Sequence, residues 1–162
     1  MGEGVGAAGG GAGERRASAS RRPNVTTCAV VIDAIVSQPT IARNMLKKAL
    51  ALGLFAEPVQ KSASSWKLDL HDHSEGSAVT LVRLWLEEEI RPWLSEQPSS
   101  AYSDITVELI TGHGKHREAW STSDVKQAVT HALAEMEVPT KYHANKGLLA
   151  IDCAVWMQQS RE

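Results

Sequence analysis

Along the first 23 positions there is almost no bulky apolar side chain; from Val25 the apolar density rises, and its period then switches between helix and strand. "VTTCAVVIDAIV" and "TIARNMLKKALALGLF" predict two short helices, broken at Gln38-Pro39 and ended by Gly53, because proline removes a backbone donor and glycine accepts the left-handed cap. Residues 24–57 are therefore expected to form a helical hairpin. After Pro58, "VQKSASS" reads as a polar linker opening a second unit, 58–162. Trp66, Leu68 and Leu70 alternate with Lys67, Asp69 and His71, which predicts a strand with one buried face. Ala78, Leu81, Val82, Trp85, Ile90 and Trp93 recur at helical spacing behind Ser74 as cap, with Pro92 expected to bend or end the helix.

"DITVELI" (104–110) is the second expected strand, and Val125, Ala128, Val129, Ala132, Leu133 and Met136 trace a second helix, capped by Ser123 or Asp124 and stopped before Pro139. "TKYHA", a turn at Asn145-Lys146-Gly147 and "LLAIDCAV" read as a hairpin, with a short terminal helix around Trp156. The order strand, helix, strand, helix, strand, strand (βαβαββ) predicts an α/β fold: a small mixed four-stranded sheet with helices on one face and the opposite face open to a ligand.

Composition narrows the class. The chain has 162 residues, 43% hydrophobic and 22% charged, which suits a globular domain with a tail. Residues 1–23, rich in Gly, Ala, Ser and Arg, cannot offset their ordering entropy and are expected to be a disordered leader. A formal net charge of −2 recruits no polyanion, so any contact with nucleic acid needs a local basic patch. Cys28 and Cys153 lack the spacing of a disulfide framework or a thiolate zinc site. No apolar run is long enough to span a membrane, and no membrane partner is expected.

The candidate chemistry gathers at the expected ends of the first two strands. Thr111-Gly112-His113-Gly114-Lys115-His116 follows a strand, and its glycines permit positive φ and close backbone approach to a phosphate. It is neither a Walker loop nor a dinucleotide fingerprint. Lys115, His116 and Arg117, with Lys141, His143 and Lys146 of the hairpin, supply the local cationic patch. Asp69 and His71 share a strand face, an acid beside an imidazole that titrates near neutrality. His71-x-His73 with His113 and His116 is the set from which a zinc site would be drawn; without a thiolate, and with alternate residues diverging at a strand end, no metal ligand is assigned. His131 reads as a helix-surface residue, and Trp85 and Trp93 as core.

"LDLH" (68–71), a helix, and then "ITGHGKH" (110–116) resemble the Smr (small MutS-related) domain, over about residues 66–159. The glycine turn is similar to that of the Smr domains at the C-terminus of plant and algal pentatricopeptide-repeat proteins, and "RPNVTTCAVVIDA" to the first helix of one degenerate pentatricopeptide unit. The resemblance implies a two-layer α/β sandwich that binds nucleic acid and cleaves it endonucleolytically, with RNA the first substrate and DNA the alternative. It implies roles for Asp69 and His71 in catalysis and for Thr111, Gly112, His113 and Gly114, joined by Lys115 and His116, in holding phosphate. It makes Mg²⁺ or another divalent cation an optional cofactor and a chloroplast or mitochondrion the expected compartment. A non-catalytic RNA/DNA-binding module or interaction adaptor is the alternative function.

Overall fold

The computed structural model describes residues 24–56, 58–112 and 124–160. The leader 1–23 and His113, Gly114, Lys115, His116 and Arg117 of the glycine turn lie outside them.

The helical hairpin is α1 (Val25–Ile35) and α2 (Pro39–Ala51). Asn24 caps α1 by accepting the Thr27 amide at 2.9 Å, and Pro39 stands in the first turn of α2, where no amide is needed. Gly53 ends the hairpin at φ +66°, a conformation that glycine reaches without a Cβ penalty.

The chain then enters a five-stranded mixed sheet in the order β1-β2-β3-β5-β4: β1 (Val59–Lys61), β2 (Ser65–Asp69), β3 (Thr106–Ile110), β4 (Thr140–Lys141) and β5 (Leu148–Ile151). β2 and β3 are parallel, with Asp69 opposite Ile110; the other three pairings are antiparallel. The α/β class and the mixed sheet agree with the sequence, but the strand count is five rather than four. The extra strand is β1, taken from the sequence as linker. It pairs with β2 through a tight turn in which the Ser62 amide donates to Ser65 O and the Ser65 amide to Ser62 Oγ. Three residues, two of them polar, are too few to show a period.

Trp66, Leu68, Val107, Leu109 and Ile151 lie on the helix-covered face of the sheet, beneath α3 (Glu75–Trp85) and α5 (Val125–Glu135). Trp66 meets Trp93 at 5.0 Å and Trp85 at 6.4 Å between ring centroids, and Lys61 Nζ stands 4.3 Å over the Trp66 ring. Pro92 does not end the helix. A π-helical segment (Leu86–Ile90) precedes α4 (Arg91–Ser95), and the Arg91 amide reaches back five residues to Leu86 O. Pro92 falls in the first turn of α4, where its missing donor is tolerated. α6 (Cys153–Gln159) closes the chain, capped by the Asp152 carboxylate.

The hairpin shares one hydrophobic cluster with the sheet layer: Cys28, Ile32, Ala42 and Leu46 join Val82, Trp85 and Leu86. At the start of α3, Ser74 is the cap residue by position, yet its hydroxyl donates to Asp33 Oδ1 (2.8 Å), and the Gly76 amide donates to the same oxygen (2.8 Å). α1 thus supplies the capping carboxylate of α3. Gly76 is the residue that lets the helices approach, since a Cβ there would stand 2.5 Å from Asp33 Oδ1 and 2.8 Å from Asp33 Cα. Around this seam the run Glu87-Glu88-Glu89 pairs with Arg43 and Lys47 of α2 and Lys61 of β1.

Candidate functional site at the ends of β2 and β3

Parallel pairing sets the ends of β2 and β3 side by side. The ladder reaches Asp69 and Ile110, and the Leu70 amide adds one more bond to Ile110 O at 2.9 Å. There β2 leaves the sheet, and the His73 amide turns back to Leu70 O at 3.0 Å. This turn replaces the expected continuation of the strand through His71. Asp69 and His71 are consequently much closer than two residues on one pleated face: His71 Nδ1 stands 2.6 Å from Asp69 Oδ1, and the His71 backbone amide donates to the same oxygen at 3.1 Å.

A carboxylate only accepts, so the short contact puts a proton on Nδ1 and fixes the ring's orientation. The other nitrogen, Nε2, faces Asp72 Oδ2 at 3.1 Å. The hydrogen bond to Asp69, supported by the charges of Asp69 and Asp72, raises the His71 pKa above its ordinary value against a smaller opposing effect of burial. The side chain is 59% exposed.

Gly112 lies beside this pair. Its φ is +77°, the left-handed region, and a Cβ built there would lie 3.9 Å from His71 Cβ. The structure therefore brings together Asp69, His71, Thr111 and Gly112. The remaining predicted phosphate contacts, His113, Gly114, Lys115 and His116, fall outside the described residues. Thr111 is engaged from the other side: its amide (2.9 Å) and hydroxyl (3.2 Å) both donate to Gly147 O. Gly147 is set in turn by Asn145, whose Oδ1 accepts the Gly147 amide at 2.9 Å. The hairpin that carries Lys141, His143 and Lys146 is thereby joined to the rim of the site.

The open face of the sheet is less bare than the sequence suggested. Glu108, at the centre of β3, is only 7% exposed. Lys67 Nζ stands 2.9 Å from its Oε2 as a charge contact rather than an aligned hydrogen bond, and His143 Nε2 stands 3.5 Å from its Oε1. His143 Nδ1 accepts the Asn145 amide at 3.0 Å, so the neutral ring carries its proton on Nε2, toward Glu108. Sequence reasoning missed Glu108 and Asp72. The first was legible as the one carboxylate alternating with Val107 and Leu109; the second gave no signal beyond its place next to His71.

His73 is not part of the rim. It is buried, stacked on Phe55 with centroids 4.7 Å apart and planes 8° apart, and its Nδ1 lies 3.3 Å from Ser77 Oγ. Burial lowers its pKa. Among the described residues, no group of three or more His, Cys, Asp or Glu is placed to hold a metal ion. Cys28 and Cys153 are free and buried, and burial pushes the Cys153 thiol up to about 11. His131 is exposed on α5, 3.4 Å from Glu135. Among the described residues no helix is long and apolar enough to cross a membrane.

Compared with known protein families, the chain matches no family model. Over 75 residues it is 35% identical to a pentatricopeptide repeat-containing protein of Arabidopsis thaliana; that stretch is 46% of this chain and 8% of the plant protein. The chain is thus similar to a small part of a plant pentatricopeptide repeat-containing protein and spans far less than two thirds of its length.

Proposed function

We propose that this chain carries a nucleic-acid-binding domain of the Smr kind that cleaves single-stranded RNA endonucleolytically, with DNA as the alternative substrate. The observation that carries the reading is the Asp69–His71 pair at 2.6 Å, solvent-open and directly beside Gly112 in its left-handed turn. The order of "LDLH" and "ITGHGKH" along the chain and the similarity to the plant protein support it.

His71 is the catalytic residue in this reading and Asp69 a positioning residue. Asp69 holds Nδ1–H and leaves Nε2 to face the substrate. When the ribose 2′-hydroxyl attacks phosphorus, its proton passes to solvent water; the bond to the 5′-oxygen breaks, leaving a 2′,3′-cyclic phosphate, and the Nε2 proton passes to the 5′-oxygen as it leaves. A positioned acid of this kind contributes about 10²–10⁴ in rate. A divalent cation is poorly served by the described residues: Asp69 Oδ1 already accepts two N–H groups, Asp72 Oδ2 is on Nε2, and no third ligand joins them. No step is therefore routed through one.

The test is incubation of the full chain with labelled single-stranded RNA and DNA, with and without chelator, beside His71→Ala. Cleavage of RNA by the wild type and its loss in the variant is the expected result; no cleavage of either nucleic acid under any condition removes the enzyme reading. A second reading, a non-catalytic nucleic-acid clamp, is favoured by the join of Thr111 to Gly147, which sets the basic hairpin against the rim. Its signature is retention of RNA that weakens steeply with salt and survives His71→Ala.

A further inference from the structure

Both nitrogens of His71 face a carboxylate in the free protein, Nδ1 through a hydrogen bond to Asp69 and Nε2 through a charge contact with Asp72, and the two carboxylates differ in kind. Asp69 is built in: it ends β2, its side chain is 27% exposed, and one oxygen receives both the ring N–H and the backbone N–H of His71. Asp72 is loosely held. Its side chain is 72% exposed, and among the described residues its contact with Nε2 at 3.1 Å is the one polar contact it makes. Its backbone, by contrast, is fixed. Asp72 sits inside the turn closed by the His73 amide on Leu70 O, and His73 is anchored between Phe55 and Ser77. The side chain can swing while its base stays in place, and exposed rotamers exchange in picoseconds to nanoseconds.

Nε2 is also the nitrogen that the proposed reaction needs. A carboxylate and a phosphodiester offer the same thing to an imidazolium, a negatively charged oxygen acceptor, and one N–H takes one of them at a time. We propose that Asp72 is a built-in competitor for the substrate phosphate: its carboxylate covers His71 Nε2 in the free protein and swings out when a phosphodiester takes that position. The inference rests on the reading of His71 as the residue that meets the scissile phosphate. It gives Asp72 a role in setting affinity and keeps the working nitrogen covered between substrates.

The experiment compares the full chain with D72N and with D104N, which removes the same charge from the exposed residue before β3, at the far end of the strand. Inorganic phosphate is titrated first and a single-stranded RNA oligonucleotide second, with the His71 ring nitrogens followed by NMR at low salt and at salt high enough to screen distant charges. An exposed carboxylate–imidazolium pair is weak, so its loss corresponds to binding about two- to fivefold tighter in D72N. That gain is expected for both probes, with a response at Nε2, persisting at the higher salt and absent from D104N. Binding in D72N no tighter than in D104N, or tighter binding with no response at the His71 ring, overturns the proposal. Weaker binding also overturns it and is the behaviour of a carboxylate that recruits a cation. The two readings fail separately: D72N that binds phosphate more tightly with no RNA cleavage by any form leaves the competitor and removes the nuclease, and active wild type with unchanged D72N affinity does the reverse.

Discussion

His71 and His73 are two residues apart and do opposite work. His71 is held in solvent by two carboxylates, and those contacts raise its pKa. His73 is closed between Phe55, which follows the hairpin, and Ser77 of α3, and burial lowers its pKa. The Leu70–His73 turn separates them: where β2 leaves the ladder, one ring goes to the rim and the other into the seam beneath the helices. One imidazole is held between two carboxylates at an exposed rim, while the other is an aromatic plate that serves packing. Identical side chains in one short stretch acquire different roles from hydrogen bonding and burial alone.

The widest gap between them is expected in activity. His71→Ala should lower RNA cleavage by about 10²–10⁴ and leave the melting temperature nearly unchanged, because the lost pair is exposed. His73→Ala should do the reverse. Loss of a buried, stacked ring costs about 2 kcal/mol of stability, while cleavage per folded molecule is retained. His73→Phe keeps the stack and gives up only the contact to Ser77, so its stability should lie close to wild type. Rates measured alongside thermal melts check both arms; a His73→Ala protein that is stable but inactive breaks the comparison.

A second separation is in pH. A buried base with a lowered folded pKa contributes stability that is present above its ordinary value of 6.5 and is lost as pH falls through the folded value, because the unfolded chain takes the proton first. For His71 the folded pKa is raised, so its contribution is present below 6.5 and is lost as pH rises through the folded value; exposure keeps it small. Melting the wild type and His73→Phe between about pH 5 and 7.5 should show acid destabilisation in the first that is reduced in the second. Equal acid slopes in the two proteins would show that His73 is not the titrating plate.

Much of this contrast was legible beforehand, and the part that was not has a local cause. Alternation through Trp66, Leu68 and Leu70 gave the strand, and the parallel order gave the approach of His71 to Gly112. The turn after Asp69 was not legible, because Leu70 continues the apolar period one residue beyond the strand; it is held by bonds to Ile110 and from His73 that no periodicity encodes. The same limit hid β1, which is too short to alternate, and the passage of the helix across Pro92, which depends on a π-helical segment upstream. Asp33 as the cap of α3 was hidden for another reason: the partner lies 43 residues away from Gly76 in sequence.

The smallest expected effect is at Gly112, and it shows how closely the rim depends on backbone rather than side-chain space. Among the described residues, a methyl group there meets nothing closer than His71 Cβ at 3.9 Å, an ordinary contact. The cost of Gly112→Ala is the positive φ of +77°, about 1–2 kcal/mol for a residue with a Cβ. Part of that strain can be relieved by rotating the turn away from His71, and then the loss appears in substrate affinity rather than in stability. Gly112→Ala should accordingly melt slightly below wild type, keep the raised pKa of His71, which is set by Asp69 and Asp72, and show a higher KM with a smaller change in kcat. Gly76→Ala is the control on the other side of the comparison. There the added Cβ runs into the Asp33 backbone, so the loss falls on the seam that holds His73 and on stability alone. If Gly112→Ala instead shifts the His71 titration while leaving KM unchanged, the glycine supports the imidazole rather than the phosphate, and the rim has to be redrawn around His71 alone.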